Sequence, residues 1–85
     1  MSTEEQTSKE ALNQNIDEVF GAKAKRYLKW HAGKKRIERG KIIIPKESTI
    51  KRFELLGISE ILAFWKFNDL EIKRSGAGLK IEFTI

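Results

Sequence analysis

The last sixteen residues, Leu70 to Ile85, alternate. Leu70 and Ile72 stand against Glu71 and Lys73. Past Ser75-Gly-Ala-Gly78 the alternation resumes, with Leu79, Ile81, Phe83 and Ile85 against Lys80, Glu82 and Thr84. A period of two on both sides of a glycine-containing loop predicts a β-hairpin with one face on the core. In that register Lys73 can pair diagonally with Glu82, and Glu71 with Lys80.

The rest of the chain supplies the other layer. Thr7 and Glu10 have capping-box spacing, so the first helix is expected to begin there. Leu12, Ile16, Val19, Phe20, Ala24, Tyr27 and Trp30 fall on one stripe at helical periodicity, with Lys25, Arg26 and Lys29 on the opposite side. Gly21 offers a place for this helix to break, and Gly33 a natural end. Lys34 to Lys41 reads as a basic loop or as the turn of a short hairpin joining Lys35–Ile37 to Lys41–Ile44. Ile42 to Ile44 reads as a strand stopped by Pro45. Ser48 can cap a second helix closed by Gly57, and Ser59 a third, Glu60 to Phe67, apolar on nearly all sides and so expected to be buried.

At 85 residues the chain allows one small domain, expected over residues 7–85 behind a flexible tail at 1–6. With no cysteine, disulfides, thiolate metal sites and cysteine nucleophiles are excluded together. The longest apolar runs, Ile42–Ile44 and Ile61–Trp65, are far short of the ~20 residues a membrane span needs. A polar, acidic start lacks the features of a secretory signal, so a cytoplasmic location is the expectation.

Charge is unevenly spread. Residues 1–20 hold one base and five acids, residues 21–41 nine bases and one acid, and residues 42–85 seven bases and six acids, for a net +5. A field concentrated in this way attracts polyanions and reads as a phosphate-contacting surface. Three arginines and the interleaved Tyr27, Trp30 and His31 strengthen that reading, since guanidinium forks grip phosphates and aromatic planes stack on unpaired bases. Trp30 also lies on the core stripe.

Catalysis has little support. His31 is the one histidine, and no carboxylate lies near it in sequence to orient it. No phosphate-loop, His-Glu-x-x-His or Gly-x-Ser-x-Gly pattern occurs. No enzyme activity, metal, cofactor or small-molecule substrate is expected. Ser75–Gly78, flanked by Lys73, Arg74 and Lys80, could form an anion-binding nest, or could be only a hairpin turn needing positive φ.

The order helix, short strand, helix, turn around Gly57, helix, terminal hairpin resembles a winged helix-turn-helix, with Leu70–Ile85 as the wing. Glu60, Ala63 and Lys66, the outward positions of its recognition helix, are not base-reading residues, which implies DNA binding by shape and charge, or use of the fold to bind protein. A local likeness also exists: Arg39–Glu47, Leu56-Gly-Ile58, Leu70-Glu-Ile72 and Leu79-Lys-Ile81 resemble the strand-Pro-helix-hairpin pattern of AbrB-type swapped-hairpin DNA-binding proteins. That likeness implies an obligate dimer with a basic face. The stretch from Pro45 to Leu70 is longer here by the Ile61–Phe67 helix.

The expectation is therefore a small α+β, winged-helix-like domain that binds nucleic acid, DNA favoured over RNA, without strong sequence readout. Lys25, Arg26, Lys29, Lys34, Lys35, Arg36, Arg39 and Lys41 are the expected phosphate contacts, with Lys73, Arg74 and Lys80 as a second set. The alternative is an accessory subunit of a replication, transcription or translation complex, docking on protein through Phe64 and Trp65.

Overall fold

The computed structural model describes residues 3–85, and the fold is α+β: two helices laid on one face of a four-stranded antiparallel sheet. Helix α1 (Thr3–Phe20) leads through a 3₁₀ turn (Gly21–Lys23) into strands β1 (Lys25–His31) and β2 (Arg36–Ile44). Helix α2 (Arg52–Trp65) and strands β3 (Asp69–Ser75) and β4 (Gly78–Thr84) follow, and the sheet order is β1-β2-β4-β3.

Leu12, Ile16 and Phe20 recur at helical spacing and are the buried residues of α1. They meet Ile37, Ile42, Ile44, Ile81 and Phe83 from the sheet and Ile58 and Ile61 from α2. Removing each such side chain from water is worth about 1.5–3 kcal/mol, so this stripe fixes how α1 lies on the sheet. Gly21 ends α1 at φ +72°, a conformation glycine adopts without steric cost.

Several sequence expectations are corrected. Helix α1 begins at Thr3 rather than Thr7, so Thr3–Gln6 are helical; Met1 and Ser2, the start of the expected tail, lie outside the described residues. The stripe does not continue past Gly21. Residues 25–31 form a strand whose half-buried Arg26, Leu28 and Trp30 alternate with exposed Lys25, Tyr27 and Lys29. Lys34–Lys41 is not a loop, because β2 runs unbroken from Arg36 to Ile44, and the turn that pairs it with β1 lies between His31 and Arg36. Pro45 does follow the end of β2.

The two helices expected around Gly57 are one. A Cβ at position 57 would lie 2.5 Å from Val19 Cγ2, so this glycine lets α2 approach α1 closely instead of stopping the helix. The N-cap is Lys51, not Ser48: the Glu54 carboxylate accepts the Lys51 N–H at 2.9 Å. The C-terminal hairpin forms as expected, with Gly76 at φ +60° opening a two-residue turn and Ser75 opposite Gly78. Its β4 core face is buried, whereas Leu70 and Ile72 on the edge strand β3 remain 38% and 40% exposed.

Candidate nucleic-acid interface

Only one face of the sheet carries helices. Strand pairing sets the side chains of the other face in rows. The first row is Lys25, Ile43, Lys80, Lys73; the second Tyr27, Lys41, Glu82, Glu71; the third Lys29, Arg39, Thr84, Asp69. A register shift between Lys29 and Trp30 leaves Glu38 as an extra residue beside Arg39, a β-bulge that brings Glu38 Oε1 within 3.2 Å of Lys29 Nζ.

Six of the eleven expected cations thus share the open face: Lys25, Lys29, Arg39, Lys41, Lys73 and Lys80. The β1–β2 half holds four of them against one acid, Glu38, while the β3–β4 half sets Asp69, Glu71 and Glu82 against two. Lys34 and Lys35 stand exposed at the β1–β2 turn, but Lys35 lies to the helix side, beside Thr3, Glu4, Thr7 and Ser8 of α1. Among the described residues, Lys25, Arg39, Lys41, Lys80, Lys34 and Lys35 have no acidic partner within 4 Å. Lys73 pairs along its own strand with Glu71 at 3.3 Å rather than diagonally with Glu82. Glu71 and Glu82 face one another directly, as do Lys73 and Lys80, which favours the within-strand pair.

The remaining three expected cations lie elsewhere. Arg26 points to the helix side, where its guanidinium donates to Asp17 Oδ1 and to the carbonyls of Asn13 (3.0 Å), Gly21 (3.2 Å) and Ala24 (3.1 Å). It fastens the end of α1 to β1. Arg36 donates to Trp65 O at 2.6 Å and Lys66 O at 3.4 Å, and stacks 5.5 Å from the Phe67 ring centre. It occupies the free carbonyls at the C-terminus of α2, where a cation also complements the helix dipole. Arg74 shares the helix-side row with Leu79 at the β3 edge.

His31 organises the turn, its Nδ1 accepting the Lys34 N–H at 2.9 Å. Of the two expected docking aromatics, Phe64 is 75% exposed, while Trp65 packs against the core and donates from Nε1 to Asn15 Oδ1 at 2.8 Å. The sequence reading missed Phe53 and Leu56, exposed at 59% and 57% on the same helix. One continuous helix over Arg52–Trp65 has more apolar residues than a single buried stripe can take up.

Lys23 lies off the sheet, 3.2 Å from both Glu47 Oε1 and Glu54 Oε2. Its hydrogen bonds to those two carboxylates, Glu47 first, raise its pKa above the ordinary lysine value. Burial pushes the Glu54 carboxyl up, yet the Lys51 N–H and the Lys23 ammonium outweigh burial and hold it below its ordinary value. This ion-pair cluster anchors the start of α2 to the turn after α1.

The arrangement can hold a polyanion on a shallow face while the acidic helix α1 lies behind the sheet. Among the described residues, no helix is long and apolar enough to cross a membrane. Comparison with protein-family models, curated proteins and solved structures finds no match for this chain.

Proposed function

We propose that this domain binds nucleic acid through the open face of its sheet, contacting the phosphate backbone without strong sequence readout, DNA favoured over RNA, in a cytoplasmic setting. The observation that carries the reading is the β1–β2 half of that face. Among the described residues, Lys25, Arg39 and Lys41 project there with no acid within 4 Å, and Lys29 projects beside them, paired with Glu38. Unpaired cations on a dry-backed sheet face are what a phosphate chain displaces counterions to reach. Asn and Gln are missing from the three outward rows and Arg39 is the one guanidinium there, which favours backbone contact over sequence recognition.

The test is a pair of charge-matched variants. Lys25→Glu with Lys41→Glu alters the open face, and Arg52→Glu with Lys66→Glu makes the same charge change at the two ends of α2. Fluorescence anisotropy with labelled DNA should show binding lost in the first and nearly kept in the second. Equal loss in both would mean that only net charge matters and would remove the interface.

One observation favours a second reading. Phe53, Leu56 and Phe64 are exposed on one side of α2, with Glu60 between the last two, and suit docking on a protein of a larger complex. In that reading Phe64→Ser abolishes co-sedimentation with the partner and leaves DNA binding unchanged.

A further inference from the structure

Tyr27 is the only Phe, Tyr or Trp among the outward rows of the sheet, and it is 58% exposed. Lys25 and Lys29 lie two residues to either side of it on β1, about 7 Å away each way along the strand. Lys41 lies directly opposite on β2, at about 5 Å. An aromatic ring thus stands in water with cations on three sides.

We infer that the ligand of this face is a single strand, with an unpaired base stacked on the Tyr27 ring and the flanking phosphates held by Lys25, Lys29 and Lys41. This inference rests on the nucleic-acid reading above and narrows it. Two observations carry it.

The first is the shape of the contact. A duplex keeps the flat faces of its bases stacked inside and shows a protein only groove edges, which are read by a helix or ribbon entering the groove. A ring on a shallow sheet finds nothing to stack on there, whereas a single strand can splay a base onto it.

The second is charge. The Tyr27 row continues past Lys41 into Glu82 and Glu71, and the next row ends at Asp69. A second phosphate ridge laid beside the first on the β3 side meets these acids. In these two rows the favourable ground is the β1–β2 ribbon, about one chain wide, while the first row carries Lys80 and Lys73 across to β3.

The experiment measures fluorescein-labelled oligo(dT) and a duplex of equal length against wild type, Tyr27→Ala and Tyr27→Phe, with thermal melts confirming that each variant is folded. Oligo(dT) should bind more tightly than the duplex. Tyr27→Ala should weaken oligo(dT) binding by roughly five- to 150-fold. Tyr27→Phe should restore it, and the salt dependence should stay the same in all three, since no phosphate contact is removed. Equal or tighter duplex binding, or an unchanged Tyr27→Ala variant, would overturn the stacking inference while Lys25→Glu with Lys41→Glu still abolishes binding. Absence of any nucleic-acid binding by the wild type would overturn the underlying reading instead.

Discussion

Arg26 separates structural from ligand-binding cations most sharply. Sequence places it in the middle of the basic segment, but its guanidinium donates to three backbone carbonyls and the Asp17 carboxylate. Replacing it with Ala leaves those carbonyls without their donor at the junction of α1 and β1. Charge-assisted hydrogen bonds are each worth about 1.5–3 kcal/mol, and they do not add fully because they share one side chain. Water can reach part of the vacated site, so the net cost should be about 2–4 kcal/mol. For a domain of this size each kcal/mol moves the midpoint by roughly 4–8 °C, giving a fall of roughly 10–30 °C. Circular dichroism melts measure this. The slope of log affinity against log salt, taken well below the variant's midpoint, should equal that of the wild type. An Arg26→Ala protein that melts as the wild type does but shows a shallower salt slope would refute the clamp and return Arg26 to the interface.

Other perturbations follow the same logic. Gly40 sits opposite Phe83, and a Cβ there would lie 2.1 Å from the ring. Gly40→Ala should therefore cost about 1–3 kcal/mol, and an unchanged chemical-denaturation midpoint would contradict that packing. Because the Glu54 carboxyl is held below its ordinary value of 4.5, its contribution is full above that pH and is lost as pH falls through the lowered value. Lys23 has the opposite sign: its contribution is full below 10.5 and is lost as pH rises through its raised value. Urea titrations of wild type and Glu54→Gln should converge on acidification, and parallel curves would remove Glu54 as the cause. Lys34→Ala with Lys35→Gly should leave the melt unchanged and reduce a single-strand salt slope by at most about 1.4; Lys35 already has φ +53°, which glycine tolerates.

The terminal hairpin was legible because a period of two survives wherever one sheet face is buried. The α1 stripe as far as Phe20 was legible for the corresponding reason at helical spacing. The stripe misled beyond Gly21, because Ala24, Tyr27 and Trp30 continue a helical spacing by coincidence. Leu28 lies off that stripe and fits only a strand, and it was the available signal. Gly57 misled in the opposite direction, since a glycine that admits Val19 looks in sequence like one that ends a helix. For the site, the cluster of cations was visible but its division was not. Which arginine reaches a carbonyl depends on residues distant in sequence, as Arg36 with Trp65 and Arg26 with Asn13 show. The open face itself follows from strand pairing, and no local pattern reports it.

The interface is tested most directly by following backbone amide signals in NMR while oligo(dT) is titrated in. Shifts should concentrate at Lys25, Tyr27, Lys29, Arg39 and Lys41, leaving α2 unmoved. Shifts centred on Phe53, Leu56 and Phe64, or none at any residue, would contradict a nucleic-acid surface on the open sheet.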